Sequence, residues 1–306
     1  MNVLISGATG LVGRSLTQAL EDEGHQVIRL LRPSSKSGGS SRTVTWDPIA
    51  GTVDEEALRA SEVDAVVHLA GEGIADGRWN EARKKRIRNR RVDGTRVLAE
   101  AVSRLESPPS VFVCASAIGY YGNRGDELLN EDSPPGGGFL PDVCRDWEGA
   151  TVSLDETETR VVHVRIGIIL SKDGGALQKM LLPFKMGVGG KVGDGKQYMS
   201  WISIDDMVRV LVTAIENAEL EGPVNAVAPN PVTNLEFTKS LGKALSRPTV
   251  FPMPAFAARL AFGELANDLL LGSLRVDCAR LRDVGFEFQQ PGLDGALREV
   301  LQRKRM

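Results

Sequence analysis

Cysteine, histidine and tyrosine are scarce in this chain, at three each, and no hydrophobic run is long enough to cross a bilayer. Cys114, Cys144 and Cys278 are odd in number and widely separated, which fits neither a disulfide framework nor a zinc-binding spacing. A reducing, cytoplasmic location is the expectation. His25, His68 and His163 sit beside or inside predicted strands, and no metal site is visible. A strong charge of one sign is also missing. The net charge is -3 and there is no like-charged tail, so neither a nucleic-acid partner nor a membrane surface has electrostatic support. One basic run, RKKRIRNRR at 83–91, stands apart, and most of it reads as a solvated helix face. The apolar start of the chain is broken by glycines too early for a signal peptide.

What is present is an alternation of two periods. VLIS (3–6), QVIRLL (26–31), TVTW (43–46), VDAVVHLA (63–70), SVFVCAS (110–116) and RVVHVRI (160–166) are short, β-branched and nearly continuous in apolar character, as strands buried on both faces should be. Helical patterns separate most of them. LVGRSLTQALEDEG ends at Gly24, and VDGTRVLAEAVSRL ends before Pro108 and Pro109. Strand and helix repeated in this way predict an α/β fold, a Rossmann-type doubly wound parallel sheet over residues 1–170. Helices dominate residues 171–306, with QYMSWIS and PVNAVA as short strand candidates, so this part is predicted to form a smaller, mostly helical C-terminal lobe, with segments returning to the sheet left open. A small-molecule substrate is expected between the two.

In SGATGLVG the glycines Gly7, Gly10 and Gly13 follow a strand and open a helix. The first permits a tight turn, the second lets a phosphate approach the backbone beside Leu11 and Val12, and the third lets helix and sheet close together. The end of the second strand then points to the nucleotide. NAD-selective sites place Asp or Glu there, whereas this chain has Leu30, Leu31 and Arg32. A guanidinium grips a 2′-phosphate with charge-assisted bonds, and Ser34, Ser35 and Lys36 add donors. The expected cofactor is NADP(H).

Further stretches, HLAGEGIADGRWN, SAIGYYG, the Trp147–Glu148 pair, PFKMGVGG, WISIDDM and NAVAPNPVTNLEF, resemble the extended and atypical short-chain dehydrogenases/reductases. Within them the chain is most similar to the NAD(P)-dependent epimerase/dehydratase-like family that carries a C-terminal domain of unassigned function and is sometimes labelled a cell-division inhibitor. The resemblance implies that Leu69, Ala70 and Gly71 line the cofactor, that Trp46 and Asp47 close the adenine pocket, and that Gly167, Ile168 and Ile169 cover the nicotinamide side. RVDGT puts Arg91 where relatives have the asparagine of N-V-x-G-T, so Arg91, with Arg86, is expected near the pyrophosphate or the substrate. Glu72, Trp79, Lys185, Trp201, Asp205 and Asp206 are candidates for the substrate wall; Asp205 or Asp206 also suits a helix N-terminus. By analogy a homodimer would pair through helices around 80–105 and 140–153.

One departure bears on the chemistry. Relatives use Tyr-x-x-x-Lys, the lysine lowering the tyrosine pKa for proton exchange. Counted back from Glu148, these positions hold Leu140 and Cys144. Ser116, at the place of the family's catalytic serine, and Tyr120 and Tyr121 after it are the remaining catalytic candidates. Two classes of function stay open: an NADP(H)-dependent oxidoreductase acting on a small carbonyl or sugar-nucleotide-like metabolite, and an NADP-binding protein whose catalysis has lapsed and which engages a protein partner.

Overall fold

The structure is a computed structural model that describes residues 1–33 and 42–302. Ser34, with Ser35 and Lys36, lies outside the described residues. Among the described residues the main sheet has eight strands: β1 (Asn2–Ser6), β2 (Gln26–Leu31), β3 (Thr43–Asp47), β4 (Thr52–Val53), β5 (Ala65–His68), β6 (Val111–Ala117), β7 (Arg160–Ile166) and β8 (Gly222–Ala226). Their order is β8-β7-β6-β5-β1-β2-β3-β4, all parallel except the β3–β4 pair. This is the doubly wound Rossmann-type sheet.

Alternation along β1 shows why both faces are covered. Val3 and Ile5 enter one core with Leu16 and Leu20 of α1 (Leu11–Asp22), whereas Leu4 enters the other. On that second face α2 (Glu55–Ala60) contributes Leu58, α3 (Glu81–Ser103) contributes Leu98 and Val102, and α4 (Phe139–Glu148) contributes Trp147. After α5 (Gly175–Lys185), α6 (Ile204–Glu216) returns to the first face, where Met207, Val210 and Leu211 bury beside α1. β8 then pairs with β7 from Gly222↔Val162 to Ala226↔Ile166, so the PVNAVA segment extends the main sheet. The apolar face of α6 requires this return, because it needs a sheet to bury against.

The remaining helices are α7 (Asn234–Leu245), α8 (Ala255–Phe262), α9 (Leu265–Leu269), α10 (Ala279–Asp283) and α11 (Leu293–Gln302). α5, α7 and α11 share a third core with Leu177, Phe184, Phe237, Leu241 and Leu297. Thr233 and Glu236 form a reciprocal capping box that fixes the start of α7.

From β1 the chain winds outward to β2 and β3, then comes back to β5 on the other side of β1. The crevice between the C-terminal ends of β1 and β5 is therefore the switch point of the sheet. A buried joint holds these two ends together. Ser6 Oγ accepts the N–H groups of Leu69 and Ala70 at 3.0 and 3.1 Å, and so donates its own proton to His68 Nδ1 at 2.7 Å. His68 is fully buried, its Nε2 meets no hydrogen-bond partner, and its ring stands edge to face with Trp46 at 85°. Burial pulls its pKa down from 6.5 to about 4.

A group whose protonation is suppressed by folding leaves the unfolded chain binding more protons between those two values, so its contribution to stability falls as pH drops from 6.5 toward 4. The loss at pH 4 is expected to be roughly 3 kcal/mol by linkage. Urea titrations of wild type and His68→Asn across this range check it: the variant should show a shallower pH dependence, and identical slopes would contradict the assignment.

Candidate functional site

The nucleotide groove starts from close backbone contacts. Gly7 has φ +70°, and a Cβ on it would lie 3.0 Å from the Leu69 carbonyl carbon and oxygen. A Cβ on Gly13 would lie 2.2 Å from the Gly7 carbonyl oxygen, so only glycine lets α1 start so close to its own loop. Gly10 caps α1 without a side-chain bond, which leaves the first-turn amides around Leu11 and Val12 facing outward for an anion. Those two residues offer backbone only: the Leu11 side chain packs beside Gly174, and Val12 packs on the core.

The groove has a volume of about 280 Å³ and runs from Gly7–Gly10 past Leu31 and Arg32 to Trp46 and Ile49, with Leu69–Glu72 as its other wall. Arg32 stands exposed at the rim. Asp47 also faces the groove, but its Oδ1 takes the N–H groups of Ile49 and Ala50. Arg90, which the sequence reading passed over for its neighbours, lines the groove. Its Nε lies 3.2 Å from Glu72 and that of Arg86 lies 3.6 Å from the same carboxylate, so the two side chains one helical turn apart hold Glu72 between them.

At Leu69, Gly71 and Glu72 the groove runs into a second cavity of about 430 Å³. Ser116, at the end of β6, lines it together with Leu140, Val143 and Cys144 of α4. Behind Ser116 lies an ion pair with almost no solvent. Arg165 of β7, 4% exposed, donates from Nε and Nη2 to the two oxygens of Glu148, both at 2.9 Å. Ser116 Oγ donates to Glu148 Oε1 at 2.6 Å. The guanidinium lies 3.5 Å from the centroid of the Tyr120 ring, and its Nη1 donates to Tyr121 Oη.

This network moves both tyrosines away from the cavity. They lie in a 3₁₀ turn, Ile118–Tyr121, that turns their rings onto Arg165, and neither lines the cavity wall. Tyr121 donates to Asn225 Oδ1 at 2.7 Å, and burial pushes its pKa up to about 12. Other candidates are displaced for comparable reasons. Trp201 is fully buried in the third core, with Nε1 donating to the Asn230 carbonyl. Lys185 ends α5 on the exposed outer surface. Trp79 bonds the Ile74 carbonyl and packs on Phe139, bracing the cavity wall from behind. Gly167 and Ile168 line the cavity, but Ile169 packs against the core shared by α1 and α6. Asp206 sits in the first turn of α6, accepting from Gln289 and Gln290.

RVDGT proves to be a structural joint as well. Arg91 donates to the carbonyls of Ile87 and Glu72 and lies over the Trp147 ring at 5.1 Å. A Cβ on Gly94 would come within 3.3 Å of the Trp46 indole, and Thr95 Oγ1 accepts from Trp147 Nε1 at 2.8 Å. The motif thereby seats α3 against both the groove and α4.

The NAD dependent epimerase/dehydratase family matches residues 3–138, and a domain of unknown function, DUF1731, matches residues 253–300. An epimerase family protein of Mycobacterium leprae is 40% identical over 96% of this chain and 94% of its own length. The chain belongs to the NAD-dependent epimerase/dehydratase family. The human epimerase family protein SDR39U1, solved with NADPH, has a TM-score of 0.89 and 34% identity over 99% of this chain and 100% of its own. A nucleoside-diphosphate sugar epimerase from Corynebacterium glutamicum superposes with a TM-score of 0.80 at 37% identity, covering 98% of this chain and 58% of its own. Leu140 and Cys144, the residues on which the count back from Glu148 places the family's tyrosine and lysine, both line the cavity; burial pushes the Cys144 thiol up to about 12. Among the described residues, no helix is long and apolar enough to cross a membrane.

Removing one member of a buried ion pair strands the other. Glu148→Leu and Arg165→Met are each expected to cost about 3–5 kcal/mol in urea unfolding, while the double variant recovers most of that loss. Single losses below about 1 kcal/mol, as at an exposed pair, would contradict this reading of the network.

Proposed function

We propose that this epimerase-family chain is an NADP(H)-dependent oxidoreductase acting on a small carbonyl or sugar-nucleotide-like substrate. The observation that carries the reading is the continuity of the nucleotide groove with a cavity that Ser116 lines, its hydroxyl held from behind by Glu148 and Arg165. The glycine cradle and the uncapped start of α1 fit a dinucleotide, and Arg32 at the end of β2 fits its 2′-phosphate. The human relative solved with NADPH supports the same cofactor. When bound, NADP(H) supplies or takes up the hydride.

The chain's own part is the proton. Because Ser116 donates to Glu148, its oxygen lone pairs are left for the hydroxyl of an alcohol in the cavity. As that hydroxyl gives its proton to Ser116 Oγ, the serine's own proton passes to Glu148. The reverse transfer protonates the oxygen of a carbonyl being reduced. Arg165 stays positively charged beside Glu148 whether or not Glu148 carries the proton, and Tyr120 and Tyr121 hold Arg165 in place. Ser116 is the catalytic residue on this reading, and Leu140 and Cys144 supply neither acid nor base.

Two measurements test it. Arg32→Ala should weaken NADPH binding by about tenfold to a hundredfold and leave NADH unchanged, as loss of a charge-assisted bond to the extra phosphate requires. Ser116→Ala should lower carbonyl-dependent NADPH oxidation by at least about a hundredfold with NADPH affinity intact. Undiminished turnover in that variant would refute the catalytic assignment. NADPH binding without turnover of any carbonyl offered would favour a lapsed enzyme that engages a protein partner.

A further inference from the structure

The reading above leaves two substrate classes, and the cavity wall discriminates between them. A nucleotide sugar carries a diphosphate, and burying that charge requires guanidinium groups or free N–H donors aimed at it. Among the described residues, Arg91 is the only cation on the wall. It sits at the seam with the nucleotide groove, where its guanidinium is 3.4 Å from the position of a Cβ on Gly71, and two of its N–H groups are given to main-chain carbonyls. A carboxyl group, Asp268, also lines the cavity; burial and the neighbouring Glu264 raise its pKa, against the opposing effect of Lys84. No cation of the cavity wall stands there to meet a diphosphate.

Several polar groups of the wall are spent on the protein itself, while Tyr198, with Arg275 over its ring, also lines the cavity. Gln197 donates to the carbonyls of Val192 and Leu270, Ser200 donates to the carbonyl of Leu274, and Asn234 donates to the sulfur of Met199. What faces the cavity is therefore mostly aliphatic and thioether surface, including Leu140 and Leu269, with Ser116 among it. Such a wall binds by removing apolar surface from water and holds one oxygen at the serine.

We propose that the cavity takes an uncharged, predominantly apolar carbonyl compound or the corresponding alcohol, and that it rejects nucleotide sugars. The proposal rests on the oxidoreductase reading for the identity of the neighbouring groove, but the cavity's preference is measurable without cofactor. The probes are the neutral naphthyl ketone Prodan, whose emission shifts to the blue in an apolar site, and UDP-glucose, each titrated into the protein with and without NADPH. Prodan is expected to bind saturably at one site with a blue shift, and UDP-glucose to show no binding at about 1 mM.

Two variants locate the site. Met180→Lys places a charge on the half-buried cavity wall and is expected to weaken Prodan by about tenfold or more, because a buried unpaired charge is costly. Phe256→Ser with Leu260→Ser alters an exposed apolar face of α8, where these side chains are 72% and 75% exposed, and is expected to leave the titration unchanged. Absence of Prodan binding, indifference to Met180→Lys, or saturable binding of UDP-glucose would overturn the proposal. Failure of NADPH to bind would instead strike the oxidoreductase reading, since the cofactor-free titrations still report on the cavity.

Discussion

The contact between Glu148 and Arg165 is the constraint on which the site depends. Both groups are largely withdrawn from water, with side-chain exposures of 12% and 4%, so neither is tolerable without the other. Meeting that requirement draws four parts of the chain to one point. α4 brings the carboxylate and β7 the guanidinium; β6 brings Ser116; the turn after β6 lays Tyr120 over the guanidinium. Through Tyr121 and Asn225 the same network reaches β8 at the edge of the sheet. The charges stay behind the wall, and Ser116 is the member of the network that lines the cavity.

A second joint does the corresponding work at the switch point. Ser6 and His68 tie the ends of β1 and β5, while Gly7, Gly13 and the Leu69 carbonyl approach so closely that no side chain fits between them. One joint therefore shapes the groove and the other fixes the serine, and Leu69, Gly71 and Glu72 form the edge that groove and cavity share. The oxidoreductase reading rests on this adjacency more than on any single residue.

Local features were the ones legible from the chain. Strands buried on both faces read as continuous apolar runs, so β1, β2, β3, β5, β6 and β7 were visible. β4 has only two residues and leaves no period to find, and β8 could not be assigned to the sheet because its partner strand is remote in sequence. The groove was legible for the same local reason, since its glycines, strand and helix are consecutive. The cavity was not, because its wall is gathered from distant segments between Leu69 and Leu274. Glu148 could be counted as a landmark, but its bond to Ser116 depends on an arginine one strand away. Tyr120, Tyr121 and Trp201 were attractive by residue type, and only packing reveals that their polar or aromatic faces are already engaged.

The position of one proton tests the central claim most directly. Neutron diffraction from deuterium-exchanged crystals would locate it at Ser116. The expected density is a deuteron on Ser116 Oγ directed at a bare Glu148 carboxylate, with Arg165 fully charged beside it. A deuteron residing on Glu148, or a Ser116 hydroxyl aimed into the cavity, would contradict the account.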